Sequence, residues 1–313
     1  MKIIKNFIVD SDQKNGIVTL GTFDGVHKGH FAVLKKMNEI SVREPNLPKN
    51  IITFDNHPRE ALFPEQKVEI LTTLEEKLSL FSQASIDNVL IIRFTKEFSE
   101  TEPTVFIEKY ILPLQPKYII IGREHFFGHR KKGDNKHFFT YENEYNYSVI
   151  EVPTLLINGE DVSSTKIRKL LKYEGNVDRA SELLGYKYKI TGKVIKGNKI
   201  GKKIGYPTAN LEVNRNKILP QNGVYAVNTY VNSQKYQGMI YLGKKSSISN
   251  NELSVEVNIF NFRKNIYQKI ITVEFVEKIR NEMTFNNFNE LKSQLDKDKN
   301  ECKKIFETTQ PNV

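Results

Sequence analysis

The sequence predicts a doubly wound α/β domain built on a parallel sheet, followed by a small antiparallel β-domain and a closing helix. In the first half, continuous apolar runs alternate with helical stretches, whereas short runs separated by Gly, Asn and Ser fill the second half. The length of 313 residues also exceeds what one hydrophobic core usually supports. We therefore expect two domains, residues 1–185 and 186–313.

Five apolar, β-branched runs in the first half indicate buried parallel strands. They are IVTLG (17–21), IITF (51–54), NVLIIRF (88–94), KYIIIG (117–122) and YSVIEV (147–152). Helical spacing between them is illustrated by Phe31, Leu34 and Met37. The amphipathic segment 163–175 ends at Gly175, and glycine commonly stops a helix. This alternation of strand and helix is typical of a doubly wound sheet.

Six short runs in the second half indicate antiparallel strands. They are YKITGKVI (188–195), TANLEV (208–213), GVYAVNTYV (223–231), KYQGMIYLG (235–243), LSVEVNIFNF (253–262) and IITVEFVEKI (270–279). Polar and apolar residues alternate along 254–259, which favours a half-solvated antiparallel sheet or a small barrel. Phe288, Leu291 and Leu295 then lie at helical spacing in the last segment.

Composition narrows the class of protein. The 47 Lys and Arg against 37 Asp and Glu give a net charge of +10, which favours anionic partners such as phosphorylated small molecules or nucleic acid. A nucleic-acid-binding regulator is the weaker alternative, because no aromatic–basic recognition motif accompanies the charge.

Cysteine content and hydropathy bear on the location of the protein. Cys302 is the one cysteine, which excludes a disulfide framework. No apolar run is long enough to span a membrane, so we expect a cytoplasmic protein without membrane partners and leave homo-oligomerisation open.

The stretch GTFDGVHKGH (21–30) is the first candidate site. It follows a predicted strand and opens a helix, where the free amides and the helix dipole attract anions. His27 and His30 share one face of the first turn, and as imidazolium ions they could stabilise charge on a phosphoryl group under attack. Two alternatives are ordinary helix-start residues and a metal pair completed by His57 or Asp24.

The stretch SSTKIR (163–168) supplies a second group of phosphate-binding candidates. Its hydroxyl residues can cap a helix and donate to phosphate, and Arg168 lies on the same face as Ser164. Alone it is only a capped helix; together with the histidine turn it favours nucleotide binding. A class I aminoacyl-tRNA synthetase would also carry such a turn, but it would need a KMSKS-like loop and an RNA-binding domain.

The two stretches resemble the HxGH and ISSTxxR motifs of the nucleotidylyltransferase superfamily. With TFDNHPRE (53–60) and LTTLEEK (71–77), the first half is similar to the FMN adenylyltransferase part of bacterial bifunctional riboflavin kinase/FAD synthetases. The resemblance implies a Rossmann-like domain in which the phosphate of FMN attacks the α-phosphorus of ATP and releases pyrophosphate.

The resemblance also implies roles for individual residues. The catalytic residues it implies are His27, His30 and Arg168. The ATP-binding residues it implies are Gly21, Phe23, Gly25, Ser163, Ser164 and Thr165. The flavin-binding residues it implies are Phe54, His57, Pro58 and Phe127. A departure is GREHFFG (122–128), where Glu124 and His125 replace the usual residues.

The glycine–lysine loop and PTAN, within 196–211, form the second candidate site. The glycines let the backbone approach an anion, and Thr208 and Asn210 offer neutral oxygens of the kind that Mg²⁺ accepts. Glu256 is the one carboxylate in the run 253–262 and could act as the base for a hydroxyl that attacks ATP. The alternatives are a solvated turn and an exposed strand glutamate.

These residues are similar to the riboflavin kinase half of the same family, as are PQNGVYA (220–226) and IRNEMTF (279–285). The resemblance implies ATP contacts from Gly197, Lys199, Gly201 and Lys203, Mg²⁺ at Thr208 and Asn210, Glu256 as base, and Arg280 over the flavin. One chain would then convert riboflavin to FMN and FMN to FAD. The family's N-I-G-x-R-P-T stretch appears here as YLGKKSS, with Tyr241, Lys245 and Ser246 at the changed positions. An FAD synthetase with a weakened or inactive kinase half is therefore the alternative.

Overall fold

The computed structural model describes residues 1–5, 7–123, 133–197, 200–244 and 253–309. The chain divides into two compact units, Met1–Ser164 and Thr165–Val313. Two residues named as site candidates, Phe127 and Lys199, lie outside the described residues. So do the departures at Glu124, His125, Lys245 and Ser246.

The first unit is built on a parallel sheet, which has six strands in the part of the chain described, in the order β1-β4-β3-β2-β5-β6. The strands are β1 (Lys2–Lys5), β2 (Ile17–Leu20), β3 (Lys49–Phe54), β4 (Asn88–Ile92), β5 (Tyr118–Gly122) and β6 (Ser148–Val152). The predicted parallel sheet is confirmed, and each of the five predicted runs forms one of its strands. Strand β1 escaped prediction because it has four residues, of which only Ile4 is buried.

Seven helices accompany this sheet in the described part of the first unit. The helices are α1 (Lys28–Arg43), α2 (Pro58–Leu62), α3 (Leu74–Gln83), α4 (Lys96–Ser99), α5 (Pro103–Phe106), α6 (Asn135–Thr140) and α7 (Glu142–Tyr145). Shorter pieces are 3₁₀ turns at Ser11–Gln13 and Leu112–Leu114, a π turn at Ile107–Ile111, and the hairpin of β7 (Leu156–Ile157) and β8 (Glu160–Asp161). Helix α1 buries Leu34 and Met37, at the spacing that predicted a helix there.

The order of the strands in the sheet shows where the first candidate site lies. From β2 the chain continues to β3 on one side, whereas β5 pairs with the other side of β2. The carboxyl end of β2 is therefore a topological switch point, where open α/β sheets bind ligands. The turn that contains His27 begins at that end.

The second unit is a closed antiparallel barrel, with six strands among the described residues, in the order β10-β13-β12-β11-β14-β9. The strands are β9 (Lys189–Ile195), β10 (Ala209–Val213), β11 (Gly223–Val231), β12 (Gln234–Lys244), β13 (Leu253–Ile259) and β14 (Ile270–Asn281). Its helices are α8 (Ser164–Lys169), which starts at the unit boundary, α9 (Val177–Leu184), α10 (Ile200–Lys203) and α11 (Phe288–Thr309). A π turn, Leu170–Glu174, continues α8 and ends at Gly175 with φ +62°.

The polar stripe of β13 decides between the two alternatives for this run, a half-solvated sheet and a small barrel. The barrel is confirmed, and Ser254 and Asn258 on that stripe have exposed fractions of only 3% and 7%. Both line a cavity of the barrel together with Glu256, so the alternation marks a ligand-sized interior space. Helix α11 packs through Cys302, with Ile305 and Phe306, on an apolar cluster of the barrel.

Candidate active sites

The turn between β2 and α1 has an unusual backbone. Phe23, Gly25 and Val26 all have positive φ, at 49°, 84° and 34°. Only glycine adopts this region easily, and for a β-branched residue such as Val26 it is strained. The local sequence alone would not hold this conformation, so contacts from elsewhere in the fold must stabilise it.

Those contacts come from the segment that leads into α3. The buried carboxylate of Asp24 accepts hydrogen bonds from the backbone N–H groups of Leu71, at 2.9 and 3.1 Å, and Thr72, at 3.0 Å. In return, Thr72 Oγ1 accepts from Gly25 N at 2.9 Å. Asp24 thus positions the turn through backbone donors. Within the residues described, no group of three or more His, Cys, Asp or Glu side chains could hold a metal ion, so nothing supports the metal-pair alternative.

The two histidines lie together at the start of α1. His27 is the N-cap residue, and its Nδ1 accepts from His30 N at 3.4 Å. The rings stack with centroids 3.7 Å apart and an interplanar angle of 16°. Phe23 packs edge-on against His30 at 5.1 Å. His27 therefore does act as a helix-start residue. Because the two rings are stacked, their nitrogen atoms lie close together at the start of α1.

Burial of His30 affects the charge of its ring. Burial lowers the pKa of His30 well below 6.5, and the neighbouring charges of His27 and Lys77 lower it further. Its Nδ1 is buried and has no hydrogen-bond partner among the described residues. The sequence suggested a pair of imidazolium ions, whereas burial in the unliganded protein disfavours the charged form of His30. A bound anion would favour its protonation.

The flavin candidates lie where β3 ends. Phe54 packs edge-on against Phe94 at 5.2 Å and Phe98 at 5.6 Å. His57 caps the short helix α2, since its Nδ1 accepts from Arg59 N at 3.1 Å, and Pro58 is the first helical residue. The strand thus ends in a short turn that leads directly into α2.

A small cavity of about 40 Å³ joins this turn to the histidine turn. Thr22 and Asp24 line it from one side, and Asp55 and His57 from the other. Lys77, which the sequence analysis did not single out, forms part of its wall. Of the nucleotide and flavin candidates within the described residues, only His57 lines this cavity, opposite the neighbours of Phe23 and Gly25.

The SSTKIR stretch meets the histidine turn through its second serine. Ser164 Oγ donates to the backbone oxygen of Asp24 at 2.8 Å, within the first unit. Ser163 is half-buried beside it. Thr165 is exposed and Arg168 half-buried, and both belong to the second unit.

The barrel holds a cavity of about 820 Å³, whose lining includes Gly201, Thr208, Asn210, Glu256 and Arg280 from the predicted second site but not Gly197 or Lys203. Glu256 accepts hydrogen bonds from Thr208 Oγ1 and from Ser254 Oγ, each at 2.9 Å. Asn210 pairs with Glu256 across strands β10 and β13. Thr208, Asn210 and Glu256 thus form one polar cluster on the cavity wall, although Thr208 and Glu256 are 48 positions apart in the sequence.

Two glycines of the preceding loop are required by close approach. A Cβ at Gly197 would lie 2.1 Å from Asn210 Nδ2, and a Cβ at Gly201 would lie 2.2 Å from the backbone oxygen of Tyr206. Neither position leaves room for a side chain. These glycines let the loop lie against β10, next to Thr208 and Asn210. Lys203 is exposed on α10.

The donor set in the cavity fits Mg²⁺. A hydroxyl, an amide oxygen and one carboxylate are hard oxygen ligands, and Mg²⁺ usually binds one or two carboxylates together with water and substrate phosphates. Thr208 and Asn210 offer the neutral oxygens, and the carboxylate of Glu256, the candidate base, lies beside them.

Arg280 also lines the cavity, but α11 holds its guanidinium. Nε donates to both carboxylate oxygens of Asp298, at 2.9 and 3.1 Å, and Nη2 donates to Oδ2 at 2.9 Å. Asp298 has an exposed fraction of 1% and also accepts from Gln294 at 2.8 Å. Arg280 therefore fastens the 279–285 segment to the helix, which sequence reasoning did not foresee.

Tyr241, one of the departures, forms part of the same wall. It pairs with Glu256 across β12 and β13, and its hydroxyl donates to Glu282 Oε1 at 2.5 Å. Burial and this hydrogen bond raise the pKa of the Tyr241 phenol. A neutral phenol thus borders the space beside Glu256.

A histidine turn at a sheet switch point and a barrel cavity with a carboxylate among neutral oxygens together define a two-domain transferase that handles phosphate groups. Family models support this class. The model described as FAD synthetase matches residues 9–166, and the model described as riboflavin kinase matches residues 184–306.

Curated relatives match along almost the whole chain. A bifunctional riboflavin kinase/FMN adenylyltransferase of Listeria monocytogenes is 34% identical over 295 residues, covering 93% of each chain. One from Buchnera aphidicola is 38% identical, covering 93% of this chain and 94% of its own. That of Escherichia coli K12 is 31% identical, covering 99% and 100%. The chain belongs to the bifunctional riboflavin kinase/FMN adenylyltransferase family.

A solved structure confirms the fold. A crystal structure described as a macrolide-efflux protein from Streptococcus pneumoniae superposes with a TM-score of 0.87 at 31% identity, covering 96% of this chain and 98% of that one. In the part of the chain described here, no helix combines the length and apolar composition needed to cross a membrane.

Proposed function

We propose that this protein uses ATP to phosphorylate riboflavin and then transfers the AMP group of ATP to the resulting FMN, which yields FAD and pyrophosphate. The observation that carries the proposal is that each matched region has its own polar site. The first region holds the His27–His30 pair at the switch point, and the second holds Glu256 in the barrel cavity.

In adenylyl transfer, a phosphate oxygen of FMN attacks the α-phosphorus of ATP, and the bond to the pyrophosphate oxygen breaks. His27 and His30 donate hydrogen bonds to the oxygens that gain charge. The turn from Gly21 to Gly25 lies along the nucleotide. Ser163, Ser164, Thr165 and Arg168 bind the departing phosphates, and Phe54, His57 and Pro58 border the flavin.

In the kinase reaction, Glu256 accepts the proton of the primary alcohol of riboflavin while that oxygen attacks the γ-phosphorus of ATP, and the bond from that phosphorus to the bridging oxygen breaks, so that ADP leaves. Thr208 and Ser254 hold the carboxylate in place through hydrogen bonds of 2.9 Å. Thr208 and Asn210 would hold Mg²⁺, which when bound neutralises phosphate charge. Gly197 and Gly201 keep the loop close to these residues, Lys203 supplies positive charge, and Arg280 fixes the wall over the flavin.

The test is incubation of the purified protein with riboflavin, ATP and Mg²⁺, followed by chromatographic separation of FMN and FAD. We expect riboflavin to be consumed and both products to appear in that order. Formation of neither product, from riboflavin or from added FMN, would overturn the proposal.

A second outcome is an FAD synthetase with a weak kinase. The observation that favours it is Tyr241, whose ring borders the cavity beside Glu256 and whose hydroxyl binds Glu282. This alternative predicts FAD from added FMN but little consumption of riboflavin, and Tyr241→Asn should then increase FMN formation. A cytoplasmic location, the absence of nucleic-acid partners and any homo-oligomer stay predictions from the sequence.

A further inference from the structure

Lys77 is a buried lysine in the fourth position of α3, with an exposed fraction of 8%. Among the described residues its Nζ donates to three oxygen atoms: the backbone oxygen of Thr22 at 3.0 Å, that of Phe54 at 3.1 Å, and Thr53 Oγ1 at 3.4 Å. An ammonium group has three donors, so each can be used. The acceptors belong to two segments, the turn after β2 and the end of β3.

The backbone pairing between these segments stops just before Lys77 reaches them. In the described chain, the parallel register of β2 and β3 ends at Leu20 and Ile52, and Gly21 N then donates to the backbone oxygen of Ile52 at 3.0 Å. Beyond that point Thr53 Oγ1 donates weakly to the backbone oxygen of Thr22, at 3.4 Å. Lys77 therefore joins the two segments where the sheet no longer does.

Helix α3 is a rigid base for this side chain. Its first turn has a capping box, in which Thr73 Oγ1 accepts from Glu76 N at 3.3 Å and Glu76 Oε2 accepts from Thr73 N at 3.0 Å. The residues before it donate to Asp24 of the histidine turn. The turn and the start of α3 thus hold each other in both directions.

We propose that Lys77 is a positioning residue for adenylyl transfer, which locks the nucleotide turn and the flavin turn at a fixed separation. This inference rests on the proposed adenylyltransferase function of the first unit. In-line attack requires the phosphate of FMN and the α-phosphorus of ATP to meet at one geometry, and a misplacement of about 1 Å can cost about a hundredfold in rate. Lys77 contacts neither reacting group; it holds the two backbone segments that do.

The hydrogen bonds of Lys77 should depend on pH, because they depend on the charge of its amine. Asp24 on the histidine turn and Asp55 after β3 face the ammonium, and so does His30 on α1. Burial lowers the pKa of Lys77 to about 8, against the attraction of the two carboxylates. Above that pH the amine is neutral and keeps two donors for its three acceptors.

The test compares Lys77→Met with Lys49→Met. Lys49 is a matched control, because it is also buried, at 9% exposure, but it lies at the other end of β3 and donates to Asn38 Oδ1 at 3.0 Å. We expect Lys77→Met to lower kcat/KM for FAD formation from FMN by about ten- to a hundredfold. We expect Lys49→Met to remain within about twofold at matched thermal stability, because it leaves both turns in place. Equal losses in the two variants would reduce Lys77 to a general structural role and overturn the inference.

Two further measurements separate this inference from the proposed function. Amide hydrogen exchange in 21–27 and 53–58 should accelerate in Lys77→Met and not in Lys49→Met, whether or not FAD is formed. FAD formation by the parent should fall as pH rises through about 8, and Lys77→Arg, which stays charged, should flatten that fall. If the parent makes FAD while Lys77→Met shows neither faster exchange nor slower catalysis, only the Lys77 inference fails. If the parent makes no FAD, the proposed function fails and the inference fails with it.

Discussion

Ser254 Oγ donates to Glu256 Oε1 at 2.9 Å, from two positions earlier on the same face of β13. Glu256 Oε2 accepts from Thr208 on β10, so each oxygen of the carboxylate has its own hydroxyl donor. The carboxylate that we propose as the kinase base is thereby oriented by two strands.

Replacing Ser254 should therefore slow the kinase alone. Ser254→Ala removes one of the two donors, and loss of a hydrogen bond to a charged group is worth about tenfold or more in rate. We expect a fall in kcat for FMN formation with no change in FAD formation from FMN. Ser181→Ala is the control, because Ser181 is equally buried in the second unit but donates to Val177 at 2.6 Å. A similar fall in both variants would contradict an orienting role.

The two reactions should be separable by single substitutions. Glu256→Gln keeps the shape of the side chain and removes the base, so FMN formation should drop by about a hundredfold or more while FAD formation from FMN persists. His30→Ala should do the reverse, since it removes a donor to the α-phosphate. Rates from riboflavin and from FMN, measured separately, check both. Equal loss of both activities in either variant would refute the assignment of one site to each unit.

Acid should destabilise the first unit through His30. Burial lowers the pKa of His30 well below 6.5 in the folded protein, whereas the unfolded chain takes up this proton near pH 6.5. The unfolded state therefore binds more protons below that pH, and stability contributed by a neutral His30 is lost as the pH falls. Thermal unfolding from pH 7 to pH 5 should show a steeper decline for the parent than for His30→Gln. Parallel declines would show that His30 protonates freely in the fold.

The buried ion pair of the second unit should be a major source of its stability. Asp298 has an exposed fraction of 1% and binds Arg280 through two nitrogens, so Asp298→Ala would leave a mostly buried guanidinium without its partner. Such a loss costs about 3 kcal/mol or more, and the wall at 281–287 should loosen and lower FMN formation.

The matched control is the exposed pair of Glu301 and Lys304 on the same helix. Glu301→Ala should change the free energy of unfolding by less than about 1 kcal/mol. Denaturant titration of the two variants measures the difference. Comparable values for both would mean that Arg280 is not held by Asp298 in solution.

Local patterns in the sequence predicted most of the architecture, because the buried strands are continuous apolar runs and the barrel strands alternate. They failed at β1, whose four residues include two lysines, and at β13 they left open whether the polar residues face solvent or, as in the structure, an internal cavity. The roles of Asp24 and Arg280 depend on partners 47 and 18 positions away, a kind of contact that spacing along one element cannot predict.

Lys77 is another residue of the first unit whose contacts could not be predicted from local sequence patterns. A lysine in an amphipathic helix usually lies in solvent, and nothing in LTTLEEK distinguishes this one from such a solvent-exposed lysine. Only the convergence of α3 with the ends of β2 and β3 makes it a buried donor. The motif itself was recognised through family resemblance, but the reason for its lysine appears only in three dimensions.

The strained backbone at Phe23 and Val26 has a consequence for ligand affinity. Because Thr72 and Lys77 hold that loop from outside, and Asp24 within it accepts from the backbone that precedes α3, its shape exists before any nucleotide arrives. ATP thus meets a receptor that is already formed, and little of its association free energy goes into ordering the loop. Weakening the support from α3 should accordingly appear as looser nucleotide binding even when every residue that touches the phosphates is intact.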